Sequence, residues 1–200
     1  MAISLQKGQR IDLTKGNAGL SKIMVGLGWD PVQSKGGGLL GSLFGGGGPE
    51  IDCDASVLML EDDKFTENQN LIYFGNLRSR DGSIQHTGDN LTGEGEGDDE
   101  QIIVDLDKIP SKVNKLVFVV NIYDAVKRKQ DFGMIQNAFI RVVDTGNRNE
   151  LLKFNLTDNY AGKTSLIVSE IYRHETEWKF AAIGNGTNDR GLKDIVKRYA

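Results

Sequence analysis

Apolar and polar residues alternate over short stretches along most of the chain, and a period of two is the pattern of half-buried strands. Ile3 and Leu5, then Ile11 and Leu13, follow this spacing, with Lys7-Gly8-Gln9 between them as a turn. Lys22–Trp29 is a largely apolar run of strand formers, and Asp30-Pro31 predicts its end. Ile51–Leu60 opens as an alternation that puts Asp52, Asp54 and Ser56 on one face and Ile51, Cys53 and Ala55 on the other. Further strands are predicted at Leu71–Phe74, Ile84–His86, Ile102–Leu106, Lys115–Tyr123, Asn137–Asp144, Glu150–Leu156, Ser165–Tyr172 and Trp178–Ile183. The strand from Lys115 is apolar on both faces. Turn signals fall at Glu61–Asp63, Arg80–Ser83 and Asp144–Asn147.

Helical spacing is rare. Ala125–Gln130 follows Asp124, a residue suited to an N-cap. Leu192, Ile195, Val196 and Tyr199 recur at i, i+3, i+4 and i+7, which predicts a short C-terminal helix. About ten strands with turns every 8–12 residues predict an all-β fold, a two-sheet β-sandwich with a few short helices. The 200 residues suit a single domain, 1–200.

One stretch breaks the pattern. Residues 36–48 are Gly-rich and read as a flexible insert between strands, yet Leu39, Leu40, Leu43 and Phe44 make its middle apolar. Gly36, Gly38 and Gly41 match G-x-G-x-x-G in form only. The strand before, the helix after and the later acidic residue of a dinucleotide site are missing.

Charge changes the picture at a second stretch. Asp89–Glu100 holds six carboxylates and three glycines, and no Lys or Arg occurs between Arg80 and Lys108. Without those six, 22 of the 28 acids remain against 24 bases, so the net charge of −4 comes from one local negative site. Carboxylates this crowded destabilise the chain unless something neutralises them. Glycines let carbonyls turn inward, and calcium takes six to eight oxygen ligands. The plain alternative is a solvated acidic loop. An EF-hand is excluded: with Asp89 at position 1 and Glu100 at position 12, Leu91 and Glu94 occupy positions 3 and 6, where the motif needs an oxygen donor and a glycine. Asp52 and Asp54, about 7 Å apart on one strand face, suit a metal or an acid/base pair. Asp124, at the end of a buried strand, is either a cap or a ligand.

Other chemistries lack their residues. One cysteine allows no internal disulfide, and Cys53 on the apolar face reads as packing. The two histidines, His86 and His174, have no soft neighbours in sequence and are expected in turns or at the surface, which leaves zinc without ligands. G-x-S-x-G and Walker A patterns are absent, and no basic patch suggests nucleic acid as the main partner. With no apolar leader and no apolar run near 18 residues, a cytoplasmic location is expected.

Seven blocks carry a family likeness: Ile3–Gly8, Val25–Asp30, Ile51–Ser56, His86–Glu100, Phe118–Ala125, Phe132–Val143 and Glu170–His174. Together they resemble the TerD family of bacterial tellurium-resistance and general stress proteins, with its TerE, TerZ and TerX relatives. The His-Thr-Gly-Asp-Asn-Leu-Thr-Gly run from His86 is the most specific of them. The insert at 36–48 is a departure, since shorter relatives lack it. The resemblance implies a calcium-binding β-sandwich without enzymatic activity. On this chain it implies a site made by Asp89, Asn90, Gly93, Glu94, Asp98 and Asp99, with Glu100 and Asp30. Asp52, Asp54 and Asp124 would close it from strand ends, and two calcium ions are expected. It also implies action with other cytosolic Ter proteins and a membrane-embedded Ter partner.

The expected function is a stress-response binding protein whose acidic loop is ordered by calcium into a partner-binding surface. One alternative is a calcium-dependent adaptor peripheral to the inner face of the membrane, with residues 39–44 meeting lipid. That reading predicts liposome binding lost on Leu43→Ser with Phe44→Ser, and the lack of basic residues beside the insert counts against it. A carboxylate-based hydrolase is the other.

Overall fold

The alternating segments form twelve strands and two short helices in a computed structural model, which describes residues 2–17, 19–32, 51–88 and 97–200. In chain order the first six strands are β1 (Ile3–Leu5), β2 (Arg10–Asp12), β3 (Lys22–Pro31), β4 (Cys53–Glu61), β5 (Leu71–Ile72) and β6 (Ile84–His86). Then come β7 (Glu100–Asp105), β8 (Val113–Ile122), helix α1 (Ala125–Arg128) and β9 (Ile135–Asp144). The chain closes with β10 (Glu150–Asn155), β11 (Ser165–His174), β12 (Glu177–Thr187) and helix α2 (Leu192–Lys197).

They build two six-stranded sheets, ordered β1-β10-β9-β3-β7-β6 and β2-β12-β11-β8-β4-β5. The all-β sandwich expected from the alternation is therefore observed, with twelve strands among the described residues where about ten were expected. Every other residue of β3, from Ile23 through Val25 and Leu27 to Trp29, faces the opposite sheet and joins one core with Cys53, Ala55, Val57, Phe118 and Phe180. Burial of such side chains is the main favourable term holding the layers together.

The two N-terminal strands form as expected with a turn between them, but in different sheets: β1 runs parallel to β10 in the first sheet, and β2 runs antiparallel to β12 in the second. The turn with Gly8 at φ 84° crosses between sheets, so two short strands protect two different edges. Asp30-Pro31 does not stop β3, which continues through Pro31 opposite Ile135, at a strand end where proline's missing N–H does least harm. The strand expected at Leu71–Phe74 ends at Ile72, because the Tyr73–Asn76 turn takes the chain from one sheet edge towards the other. Asp124 does not cap α1: it has φ 52°, and its side chain makes no hydrogen bond to the helix.

β4 and β8 are buried on both faces, as expected for β8 alone. Their outer residues Leu58, Leu60, Val117 and Val119 form a second, smaller core with Ile195 of α2. The predicted C-terminal helix thus serves as a lid over the middle of the second sheet. Among the described residues no helix is long and apolar enough to cross a membrane. The Gly-rich insert, with Leu39, Leu40, Leu43 and Phe44, lies outside the described residues.

Candidate metal centre

The strand ends bring the predicted acidic residues to one end of the sandwich. β3 finishes there with Asp30 and Pro31, β4 starts there just after Asp52, and β7 starts there at Glu100. Of the predicted ligands, Asp89, Asn90, Gly93 and Glu94 lie outside the described residues. The others fall into distinct groups.

Asp98, Asp99 and Asp30 gather over the first sheet. The Asp98 side chain has no exposed surface and is gripped by Arg141 of β9: Nε donates to Oδ1 at 2.7 Å and Nη2 to Oδ2 at 2.9 Å. Arg141 also donates to Glu150 at 3.1 Å, and Gln101 donates to Asp98 Oδ2 at 3.1 Å. A two-pronged charged pair of this kind is strong and sets direction as well as distance. Asp98 lies directly over Gly26, where any Cβ would fall inside its carboxyl group. Gly28 makes the same allowance for its neighbours, since a Cβ there would stand 2.7 Å from the Gly97 carbonyl oxygen. The glycines of Val25–Asp30 are therefore the seat on which the end of the acidic stretch rests.

Asp99 Oδ2 accepts the Trp29 N–H at 2.7 Å, and the Asp99 N–H donates to the Leu27 carbonyl at 2.8 Å. Burial pushes the Asp99 carboxyl above its usual range, and the nearby Asp30 and Asp98 push it further, against the pull of the Trp29 N–H. Asp30 accepts from the Asn137 side chain at 2.8 Å, at a β-bulge where Asn137 has φ 55°. A groove of about 780 Å³ opens beside it, lined by Trp29, Asp30, Gly97, Asn137, Phe139 and Lys153 among others. The Lys153 ammonium stands 3.8 Å from the centre of the Phe139 ring.

Asp52 and Asp54 belong to the second sheet. The predicted alternation holds, since Cys53 and Ala55 enter the main core, but Asp54 and Ser56 are buried as well, at 3% and 0% exposure. That face of the strand is therefore not a solvent-facing edge at Asp54 and Ser56. Asp54 accepts from the Asn121 side chain at 3.3 Å, and Arg128 of α1 stands 3.7 Å from Asp52. Asp124 is half-exposed and 3.7 Å from Lys127, turned to its own helix. Cys53 lies between the groups: burial raises its thiol well above the ordinary value, and the charges of Asp54, Glu100, Asp52 and Asp99 add to this. Cys53 is core packing, as the sequence suggested.

Glu100 and His86 face the interior. Glu100 is 1% exposed and its Oε2 accepts the Ala55 N–H at 2.6 Å. His86, expected in a turn or at the surface, is instead 2% exposed, with Nε2 3.2 Å from the Ala55 carbonyl and 3.4 Å from Glu100. Sequence reasoning missed it because a lone histidine in a polar stretch carries no periodic signal. The only local clue is that it follows Ile84 at a spacing of two. Among the described residues no three His, Cys, Asp or Glu side chains are placed to hold a metal by themselves. The chemistry of the donors still suits a hard cation: oxygen only, buried in part, and with negative charge in excess over Arg141 and Arg128.

A two-sheet sandwich with an acidic end built on glycine-seated strands defines the class, a β-sandwich domain. The comparisons give the family. The TerD domain profile matches residues 1–199, and the chain belongs to the TerD family. It is 74% identical to Stress response protein SCP2 of Bacillus subtilis (strain 168), over all of both chains. It is 40% identical to Tellurium resistance protein TerD of Serratia marcescens, over 100% of this chain and 97% of that one. A crystal structure of a homologue of telluride resistance protein (TerD) from Streptomyces coelicolor A3(2) aligns with a TM-score of 0.64 at 23% identity, covering 86% of this chain and 92% of that chain. At that identity the likeness speaks for the fold. The resemblance drawn from the sequence blocks is thus established, and so is membership of a stress-response and tellurium-resistance family.

Proposed function

We propose that this protein is a calcium-binding, non-enzymatic module of the stress response, acting through a surface that calcium orders at the acidic end. The observation that carries the reading is the gathering of Asp99, Asp98 and Asp30 at one end of the first sheet, where Asp99 is held by the Trp29 N–H at 2.7 Å and Asp98 by Arg141. Such a site gains most from a divalent cation. Asp99 and Asp30 supply oxygens from the described residues, and Asp89, Asn90, Gly93 and Glu94 are the candidates from the acidic loop. Asp98 has both oxygens on Arg141 and so orients the group. Asp52 and Asp54 form a second group on the other sheet, which supports two ions. The groove beside Asp30 is the surface offered to a partner. The partners proposed are other cytosolic Ter proteins and a membrane-embedded one, with the protein in the cytoplasm.

Calorimetric titration of chelator-treated protein with calcium, and with magnesium as control, tests this. Saturable, calcium-selective binding of one or two ions with a raised Tm is the expected result, because a ligand of the folded state alone stabilises it by mass action. No heat and no thermal shift would leave a solvated acidic loop, and the reading would fall.

A further inference from the structure

The acidic loop leaves the first sheet at His86, the last residue of β6, and returns at Glu100, the first residue of β7. Both side chains reach across the core to the backbone of the same residue of the other sheet, Ala55. Ala55 donates its N–H to Glu100 Oε2 at 2.6 Å, and its carbonyl lies 3.2 Å from His86 Nε2. β5 pairs with β4 only at Val57 and Leu58. At Ala55, two residues back along the same edge, no strand of the described residues pairs with β4. The imidazole and the carboxylate do so in its place, one taking the donor and the other the acceptor.

The other ring nitrogen fixes the proton. Gly88 donates its N–H to His86 Nδ1 at 3.1 Å, so Nδ1 is an acceptor and Nε2 carries the hydrogen. Nε2–H then points at the Ala55 carbonyl, with Glu100 Oε2 3.4 Å away. Gly88, two residues into the loop, has φ 127°. A single ring therefore ties the loop entry (Gly88), the loop exit (Glu100) and the second sheet (Ala55), with His86, Glu100 and Ala55 buried.

We propose that His86 is a positioning residue: it clamps the stem of the acidic loop shut against β4, so that the loop meets its cation with its two ends already set. This rests on the calcium reading above for its consequence, but the clamp itself does not. Residues that orient metal ligands typically govern metal affinity by about 10–100-fold. Holding the stem closed in advance spares the ion the cost of ordering it.

The experiment uses the full chain in three forms: wild type, His86→Ala and His86→Gln. A glutamine can place its amide N–H near the position of Nε2 and so keep the bond to the Ala55 carbonyl. Calcium titration of chelator-treated protein and amide hydrogen exchange of the metal-free protein are measured side by side. The expected result is roughly tenfold or more weaker calcium binding in His86→Ala at unchanged stoichiometry, with most of the affinity restored in His86→Gln. Exchange should rise at Ala55 and Gly88 in His86→Ala and stay unchanged at Leu116, in the middle of the second sheet. Equal affinity in wild type and His86→Ala would overturn the proposal, as would faster exchange spread evenly over the core. If wild type binds no calcium, the functional reading fails on its own, and local exchange at Ala55 and Gly88 alone decides the clamp. If His86→Ala does not fold, His86→Gln carries the test, and wild-type affinity and exchange there support the clamp while a full loss of affinity overturns it.

Discussion

Replacing Gly26 by alanine adds one methyl group at the place where the end of the acidic stretch rests on β3. That methyl would fall inside the Asp98 carboxyl group, so Asp98 must leave. Its departure breaks the two-pronged bond to Arg141, at 2.7 and 2.9 Å, and the bond from Gln101 at 3.1 Å. Breaking a buried pair costs about 3–5 kcal/mol. The Asp98 side chain is fully buried, but Arg141 is 30% exposed and keeps Glu150, which lowers the figure. Alanine in place of glycine within a strand returns roughly 0.5–1 kcal/mol. The net loss should be about 2–3 kcal/mol. In a domain of this size that is a fall in Tm of about 4–12 °C.

Urea unfolding in chelator, with Asp98→Ala and the double variant alongside, isolates the cause. Once Asp98 is gone the methyl group has space, so Gly26→Ala should cost under about 0.5 kcal/mol in that background, and the two changes should couple by about 2 kcal/mol. Equal costs in both backgrounds would show that Asp98 is not what Gly26 accommodates, and the seating argument would be wrong.

Three other outcomes are expected. Ile195→Ala empties the small core under α2, where Ile195 is fully buried, and should cost about 2–5 kcal/mol in urea unfolding; a loss below about 1 kcal/mol would mean that α2 is not the cover of that face. Cys53 should resist iodoacetamide in the folded protein and react on unfolding, since burial and the carboxylates around it keep the thiol protonated; fast labelling of native protein, read by mass spectrometry, would contradict that environment. The same thiol gives a pH dependence. As pH rises past the unfolded thiol's ordinary value of ~8.5, the unfolded chain releases a proton that the folded chain keeps, so stability should fall by up to about 1.4 kcal/mol per pH unit, and Cys53→Ala should remove that part of the slope.

The alternation of apolar and polar residues determined the fold class and most strand positions, because a strand with one face in a core must repeat every two residues. Composition determined the concentration of negative charge between Arg80 and Lys108, and the spacing of Leu192, Ile195, Val196 and Tyr199 determined the C-terminal helix. Those are properties of neighbours along the chain. What the tertiary structure alone decided depends on residues distant in sequence. Arg141, 43 positions from Asp98, takes up a carboxylate that reads as a free ligand in the sequence. Asn121 and Arg128 do the same for Asp54 and Asp52, and α2 turns a half-exposed strand face into a second core. His86 is the clearest case: it lies 31 positions from Ala55, and only the packing of one sheet on the other brings its ring to that carbonyl. A sequence shows which groups a chain carries; the stacking of two sheets decides which of them meet, since each cross-sheet contact joins strands that no local pattern relates.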